Sequence, residues 1–189
     1  VFVAHIKGIK SHKIVQDGLK VLDNLEHRGA CGCDPLTGDG AGILVQMPDK
    51  FLRKVCGELN IELPALGDYG AGIIFLPPSL EDRNAIEQMY EHIIREEGQK
   101  VLGWREVPHD SSQIGEVAQS VEPDFKQIFI GRSENTPVEE FERKLYVIRK
   151  RIYNEVQNSV LAQKTYHYTV SLSSKTMVYK GQLMPMQVY

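Results

Sequence analysis

The sequence has 189 residues, with 22 lysines and arginines against 25 aspartates and glutamates, which gives a formal net charge of −3. That balance argues against a protein that binds nucleic acid or an anionic membrane through a basic patch. Apolar residues make up 42% and charged residues 25%, as in a globular protein, and a chain of this length buries roughly 70% of its unfolded surface. No linker divides it, so we expect one domain over residues 1–189.

Neither a membrane span nor a disulfide framework is indicated. Apolar runs such as Ala71 to Leu76 are far shorter than the ~20 residues that a membrane helix needs. Cys31, Cys33 and Cys56 are odd in number and lack the spacing of a disulfide framework. We therefore expect a protein of a reducing compartment, the cytoplasm or a plastid stroma, with no membrane partner.

Hydrophobic spacing predicts alternating strands and helices through the first half of the chain. Ser11 and Ser79 each stand where a helix N-cap is expected. The predicted elements are a strand at Val1 to Ile6, a helix at Lys13 to Leu25, a strand at Ile43 to Met47, a helix from Pro48 to about Leu59, a strand at Tyr69 to Leu76 and a helix from Ser79 to Gly98.

The second half predicts two strands, a helix and two further strands. Strands are expected at Lys100 to Val107 and Lys126 to Ile130, and Trp104 is expected in the core with Arg105 on the opposite face. Thr136, Pro137 and Glu139 form the pattern of a capping box that opens a helix. Strands at Tyr166 to Leu172 and Lys175 to Tyr179 are expected to form a hairpin at Ser173-Ser174. The order predicts mixed sheets with helices packed outside.

The most informative segment is Glu26 to Gly42, EHRGACGCDPLTGDGAG, which holds five glycines in seventeen residues. Glycine lets other groups approach the backbone closely, so we expect something to lie against this loop. A phosphate site is disfavoured because the segment lacks the Gly-Lys-Ser/Thr that ends a Walker loop. Its glycines also precede a predicted strand, whereas those of a dinucleotide fingerprint follow a strand and open a helix.

The polar and thiol groups of this segment have structural interpretations. Cys31 and Cys33 form a C-x-C pair without a zinc ligand set, so buried, inert thiols are favoured for them and for Cys56. Asp34 and Asp39 are expected to bond loop amides as Asx-turns. His27 is interpreted as a satisfied core histidine.

Arg28 is the one side chain in the segment for which a functional role is favoured. It stands among small residues that offer its apolar stem no packing partner. Its planar guanidinium, with five donors, is suited to hold carbonyl or carboxylate groups. Arg28 is therefore the candidate site residue of the sequence.

Several segments together resemble the large subunit of glutamate synthases, at its amino-terminal end, and the resemblance runs through the whole chain. The longest and most specific are the glycine-rich segment and the closing SLSS and VYKGQL runs. The segments are FVAHIKG at Phe2 to Gly8, SHKIV at Ser11 to Val15, LEHRGACGCDPLTGDGAGIL at Leu25 to Leu44, LGWREVP at Leu102 to Pro108 and SLSSKTMVYKGQLMP at Ser171 to Pro185.

The resemblance implies a class II glutamine amidotransferase domain with an α+β fold, the four-layer αββα sandwich of N-terminal-nucleophile hydrolases, present here in part. In that family a chain-starting cysteine attacks the side-chain amide of L-glutamine, and its own α-amino group serves as the base. Glutamate and ammonia are released, and the ammonia is used for the reductive amination of 2-oxoglutarate. FMN, an iron-sulfur cluster, the remaining synthase domains and a small reductase subunit are implied for the whole enzyme, and no cofactor is implied for this chain.

Only one functional residue of the family can be carried over to this sequence. The chain starts at Val1 and lacks the family's leading Cys-Gly-x-Gly, so the resemblance predicts that residues 1–189 are inactive alone. The substrate-binding residues are expected beyond Tyr189. Arg28 matches the arginine of the family's HRG motif, which lies close to the catalytic cysteine, and it is expected to orient that nucleophile. Two alternatives stay open: a catalytically silent binding or scaffolding module, and a nucleotide-binding loop.

Overall fold

The computed structural model describes residues 2–28 and 34–188, and the chain divides into two compact units. The first unit comprises Val1–Val45, His109–Glu122 and Val178–Tyr189, and the second comprises Gln46–Pro108 and Pro123–Met177. A single domain over residues 1–189 stays a prediction, because compactness does not decide whether the two units fold independently.

Helices and strands alternate along the described residues until the last two strands, which follow one another. Four short 3-10 helices are also present in these residues. The α-helices are α1 (His12–Asn24), α2 (Asp49–Gly57), α3 (Leu80–Glu96), α4 (Glu116–Ser120) and α5 (Val138–Asn158). The strands are β1 (Ala41–Gln46), β2 (Tyr69–Leu76), β3 (Lys100–Glu106), β4 (Asp124–Gly131), β5 (Tyr168–Ser173) and β6 (Thr176–Gly181). The 3-10 helices are Glu26–Arg28, Ser111–Gln113, Lys164–Tyr166 and Pro185–Gln187.

Two of the predicted helix starts are confirmed by their caps. The Ser11 hydroxyl accepts a hydrogen bond from the Lys13 amide at the start of α1. The Ser79 hydroxyl accepts one from the Asp82 amide at the start of α3. Each cap satisfies one of the amides that have no partner within the first turn of a helix.

The second unit is built on a four-stranded antiparallel sheet with the strand order β3-β4-β2-β5. Strand β2 lies inside this sheet, with Tyr69 opposite Gly131 of β4 and Ala71 opposite Ser173 of β5. All eight residues of β2 but Phe75 are buried. A strand covered on both faces is expected to be a continuous apolar run, as YGAGIIFL is.

One face of the sheet packs against α3 and α5 to form the main core. Trp104 packs against this core. Its ring lies edge-on to the Tyr90 ring, with the two ring centroids 5.5 Å apart. The core contains Ile74, Leu76, Ile86, Tyr90, Ile93, Ile94, Ile128, Ile130, Phe141, Leu145, Ile148, Ile152, Val156 and Leu172.

Helix α2 contacts the opposite face of the sheet. The buried Tyr69 hydroxyl donates to Asp49 at 2.9 Å. The Arg105 guanidinium lies 5.8 Å from the centre of the Phe51 ring, a cation–π geometry. The expectation that Trp104 and Arg105 face opposite sides of the sheet is confirmed.

The predicted strand at the amino terminus is wrong for the residues that the structure describes. Residues Phe2 to Ile6 form no strand, and the Phe2 and Ile6 side chains are exposed. High β-propensity produces a strand only where a neighbouring strand supplies hydrogen bonds and packing. No such neighbour is present within the described residues.

The predicted hairpin at Ser173-Ser174 is also wrong. Strands β5 and β6 follow one another closely, but β5 pairs with β2, whereas β6 pairs with β1 in a separate two-stranded sheet. The two serines instead bind Glu142 of α5. The Ser173 hydroxyl donates to one carboxylate oxygen at 2.6 Å, and the Ser174 amide and hydroxyl donate to the other at 2.9 and 2.7 Å.

The predicted capping box at Thr136 does not form. Helix α5 begins at Val138 with Pro137 as its N-cap residue, and no side-chain capping hydrogen bond is made there. The Thr136 hydroxyl is buried and accepts a hydrogen bond from the Gln99 side-chain amide at 2.9 Å. That long-range partner replaces the local one that the sequence pattern indicates.

Candidate functional site

The glycine-rich segment begins in the first unit at the 3-10 helix Glu26–Arg28, which follows α1. Arg28 is the last residue of that turn. Its side chain lies outside the described part of the structure, as do Cys31 and Cys33, so their interpretations stay predictions. His27 is exposed, and its interpretation as a core histidine is wrong because the turn carries this residue on the surface.

Asp34 is the next residue after Arg28 that the structure describes. Its carboxylate accepts hydrogen bonds from three residues. One oxygen accepts from the Leu36 amide at 3.0 Å, which confirms the predicted Asx-turn. The other accepts from the Thr37 hydroxyl at 3.0 Å and from the Val117 amide at 3.3 Å. These hydrogen bonds, that of Leu36 above all, hold the pKa of Asp34 below its usual value. Asp34 is therefore a structural anion.

Two backbone amides in the first turn of α4 donate hydrogen bonds to the side chains of Asp34 and Thr37. The buried Thr37 hydroxyl accepts from the Ala118 amide at 3.4 Å, next to the Val117 amide that Asp34 binds. The Gly115 amide donates to the Leu36 carbonyl at 3.2 Å. The loop thus supplies acceptors for amides that have no partner within the helix.

Asp39 does not share this arrangement. Its side chain is exposed, and among the described residues its carboxylate accepts no hydrogen bond, so the predicted Asx-turn at Asp39 is wrong. The side chain faces water, which can solvate the carboxylate without a protein partner.

Two glycines of the segment lie directly against another part of the same chain. A Cβ atom on Gly38 would stand 2.3 Å from the Leu183 carbonyl oxygen, and one on Gly42 would stand 2.4 Å from the Tyr179 carbonyl oxygen. Real side chains do not tolerate such distances. For these two glycines, what lies against the loop is the backbone of residues 179–184.

Gln187 holds the same loop from the carboxyl-terminal side. Its side-chain nitrogen donates to the Leu36 carbonyl at 3.2 Å and to the Gln113 carbonyl at 2.6 Å, and its side-chain oxygen accepts from the Met184 amide at 2.7 Å. Gln187 was not predicted from the sequence. The available signal was Pro185 followed by Gln187, since proline at the first helical position and glutamine at the third mark a capped turn.

Cys56 is the one cysteine whose surroundings the structure describes. Its side chain is fully buried on α2, and burial raises the pKa of its thiol to about 11. A thiol with that pKa carries almost no thiolate at neutral pH, so it is a poor nucleophile. The interpretation of Cys56 as a buried thiol is confirmed, and its low reactivity stays a prediction.

Two features are absent from residues 2–28 and 34–188, a membrane-spanning helix and a cluster of metal ligands. None of the helices there combines the length and apolar character required to cross a bilayer. In the same ranges, no three histidine, cysteine, aspartate or glutamate side chains come together as metal ligands could.

The whole chain, residues 1–189, matches the family described as glutamine amidotransferases class-II. The chain is 49% identical to the glutamate synthase (NADPH) large chain of Bacillus subtilis over 98% of its length, and 38% identical to the glutamate synthase (NADH) of Schizosaccharomyces pombe over all of it. It is 36% identical over 96% of its length to ferredoxin-dependent glutamate synthase 1 of Arabidopsis thaliana.

The chain spans 12%, 9% and 11% of these three relatives, respectively. It therefore corresponds to a small part of each relative. The match does not show that this chain alone has the activity of the whole relatives. The match itself covers every segment that carried the resemblance, from FVAHIKG near the start of the chain to the VYKGQL run near its end. The chain belongs to the class II glutamine amidotransferase family and is similar to the amidotransferase part of glutamate synthase large chains.

Proposed function

We propose that this chain is part of a glutamine-hydrolysing domain in a glutamate synthase. The observation that carries the proposal is the match of all 189 residues to one amidotransferase family, with glutamate synthases as the relatives. The substrate is L-glutamine, and the products are glutamate and ammonia. The ammonia is then used by the remaining domains of the same polypeptide for the reductive amination of 2-oxoglutarate.

The nucleophile of the proposed reaction is a cysteine thiolate supplied from outside residues 1–189. It attacks the side-chain amide carbon of glutamine, a thioester bond forms and ammonia leaves; water then cleaves the thioester to glutamate and the free thiol. Cys56 does not fit this role, because it is fully buried and its pKa is raised to about 11. We also propose that residues 1–189 alone are inactive.

Arg28 is the residue of this chain that we place at the proposed site. Its match to the HRG motif of the family supports a position near the catalytic thiol. A guanidinium there would favour the thiolate and orient it, since a nearby cation lowers the pKa of a cysteine.

The proposal also covers the layer architecture of the domain, the cofactors and partner subunit of the whole enzyme, and its location. The four-layer αββα sandwich is supported by the antiparallel sheet of β2 to β5 with α3 and α5 on one face. FMN and an iron-sulfur cluster are assigned to other parts of the polypeptide, and a small reductase subunit is a further proposed partner. The expected location is the cytoplasm or a plastid stroma.

The test is glutamine hydrolysis by the full-length synthase and by an Arg28→Gln variant. The wild-type protein is expected to release glutamate and ammonia in a 1:1 ratio, and the variant to release them at least tenfold more slowly. Residues 1–189 produced alone are expected to release neither. No ammonia from the wild-type protein would contradict the proposal and favour a catalytically silent binding module.

A further inference from the structure

Four neighbouring side chains on the outer side of α5 form a surface that combines aromatic rings with positive charge. They are Tyr146, Arg149, Lys150 and Tyr153, and we call them the α5 patch. Residues three or four apart lie side by side on an α-helix, so each tyrosine neighbours both cations. Tyr146 is 57% exposed and Tyr153 is 49% exposed. None of the four side chains makes a hydrogen bond or an ion pair with the residues that the structure describes.

Other cations of α5 are used inside the second unit. Lys144 donates to Glu97 of the α3 end at 3.0 Å, and Arg151 donates to the same carboxylate at 2.8 Å. These ion pairs tie α5 to α3. Arg149 and Lys150 take no part in them, so their charge is not balanced within the described part of the unit.

The carboxylate one turn before the patch is also engaged elsewhere. Glu142 stands four residues before Tyr146, and both of its oxygens accept hydrogen bonds from Ser173 and Ser174. Its charge is thereby directed to the end of β5. The patch therefore presents two tyrosine rings and two cations to whatever lies outside α5.

This composition is typical of a protein interface. Tyrosine and arginine are enriched at such interfaces, because they bury a large area and can still form hydrogen bonds. A second copy of the chain does not fit, since a twofold axis through the patch would bring Arg149 and Lys150 of one copy against those of the other. A surface that carries aspartate or glutamate side chains does complement the patch.

The polypeptides of the relatives extend far beyond the part that this chain matches. The chain spans 12% of the Bacillus subtilis relative and 9% of the Schizosaccharomyces pombe relative. A surface of the same polypeptide is present at a high effective concentration, so that even a small interface between parts of one chain is stable. An acidic surface of that remaining polypeptide is therefore the occupant that needs the smallest interface.

We propose that the α5 patch is a docking surface for a carboxylate-bearing surface of the remaining synthase polypeptide, a role that rests on the proposed function. Arg149 and Lys150 pair with aspartate or glutamate side chains of that surface. The rings of Tyr146 and Tyr153 cover the apolar stems around them and exclude water from the ion pairs.

The first test is zero-length cross-linking of the full-length synthase, purified without any second subunit. A water-soluble carbodiimide joins a lysine amine to a carboxylate that touches it, and mass spectrometry identifies both residues. We expect Lys150 to be linked to an aspartate or glutamate outside residues 1–189 of the same chain, and Lys150→Arg to lose the link. A mixture of isotope-labelled and unlabelled protein distinguishes links within one chain from links between copies.

Lys54 is the matched control for this cross-link. It is exposed on α2 in the same unit, and its side chain likewise makes no hydrogen bond or ion pair with the described residues. Because Lys54 has no neighbouring tyrosines on its helix surface, we expect its links to carboxylates outside residues 1–189 to be about fivefold weaker or absent.

The second test is oxidation of Tyr146 and Tyr153 by hydroxyl radicals in the full-length synthase, with Tyr168 of the same unit as the internal reference. Lys150→Glu should raise oxidation of the two patch tyrosines about threefold or more, because a carboxylate at this position repels the acidic surface. Lys150→Arg keeps the charge and should leave their oxidation unchanged, as should Lys54→Glu.

Three results would overturn the proposal. One is the absence of any link from Lys150 to a carboxylate outside residues 1–189, and another is equal oxidation of the patch tyrosines in the wild-type protein and in Lys150→Glu. The third is a link from Lys150 to a second copy, which assigns the patch to a different occupant. Ammonia release from glutamine is measured on the same protein: if it is absent while the Lys150 link is found, the proposed function fails and the docking surface stands.

Discussion

The backbone of Gly38 lies so close to Leu183 that a Cβ atom on residue 38 would stand 2.3 Å from the Leu183 carbonyl oxygen. The obstacle is backbone and cannot rotate away as a side chain can. The glycine-rich loop and the segment after β6 therefore pack so closely that only glycine can occupy position 38 without a shift of the backbone.

We predict that Gly38→Ala in the full-length synthase lowers kcat for glutamine hydrolysis about tenfold or more. The added methyl group forces residues 183–184 and the loop at Gly38 apart, and this loop belongs to the glycine-rich segment that we place at the proposed site. The measurement is ammonia release from glutamine beside glutamate formation from added ammonium, which should stay near the wild-type value.

Gly18→Ala is the matched control, because Gly18 lies within α1 and a Cβ atom there meets nothing within 4 Å. Alanine favours a helix over glycine by up to about 1 kcal/mol, so this variant should be as active as wild type and no less stable. Equal activity of Gly38→Ala and Gly18→Ala would show that the close approach at Leu183 has no role in the site.

Glu142 of α5 accepts hydrogen bonds from Ser173 and Ser174 at the end of β5 and so links the helix to the strand. Burial opposes its ionisation, but the bonds from both serines keep the pKa of Glu142 below its usual 4.5. Because the folded-state pKa is lowered, the stabilisation by Glu142 is present above about pH 4.5 and is lost as the pH falls through the lower folded value.

We predict that Glu142→Gln raises the amide hydrogen exchange of peptides covering residues 171–176 about tenfold at neutral pH. A glutamine offers one acceptor oxygen instead of two, so a donor would replace one of the two acceptors of these charge-assisted hydrogen bonds. Glu139→Gln, an exposed position on the same helix, should leave the exchange unchanged. Equal exchange in the two variants would contradict the account of Glu142.

His167 is buried beside β5, where its Nε2 atom lies 2.9 Å from the Tyr90 hydroxyl. Burial lowers the pKa of His167 to about 4 from 6.5. The unfolded chain therefore binds the proton more readily than the folded chain, and stability falls as the pH drops from about 6.5 to about 4. The lost stability amounts to about 3 kcal/mol for a change of this size.

We predict that protection of β5 amides against hydrogen exchange, corrected for intrinsic rates, falls steeply between pH 7 and pH 4 in the full-length protein. His167→Gln should flatten that dependence because glutamine does not titrate, while His12→Gln, an exposed position on α1, should leave it intact. A pH dependence that is the same in the wild-type protein and in His167→Gln would exclude His167 as its source.

Cys56 provides a prediction about thiol reactivity. Its full burial and its pKa of about 11 predict no alkylation by iodoacetamide at pH 7.5 in the folded protein and complete alkylation after unfolding. The measurement is mass spectrometry of the peptide that contains Cys56. Labelling of Cys56 in the folded protein would contradict the interpretation of a structural thiol.

Local patterns were enough to predict the elements that are stabilised locally. Strand β2 was predicted with its observed bounds, because a continuous apolar run ends at Pro77-Pro78. The caps at Ser11 and Ser79 were likewise predictable, since a cap bonds an amide two or three residues away. The short helix α4 was missed because its first turn is bonded by Asp34 and Thr37, about 80 residues distant.

Partners distant in sequence decided the features that local patterns predicted wrongly. Thr136 bonds Gln99 instead of capping its own helix, and β5 and β6 join different sheets although only two residues separate them. The glycine pattern indicated a close contact, but it could not identify the backbone at Leu183 as the neighbour of Gly38. The assignment of Arg28 rests on the resemblance, because the spacing of residues alone does not reveal a catalytic partner.

The most direct test of the central claim is to locate the thiol that reacts when the full-length synthase is treated with an electrophilic glutamine analogue. We predict a single covalent adduct on a cysteine outside residues 1–189, formed in parallel with loss of ammonia release and slowed at least tenfold by Arg28→Gln. An adduct on Cys31, Cys33 or Cys56, or an unchanged rate of labelling in Arg28→Gln, would contradict the account.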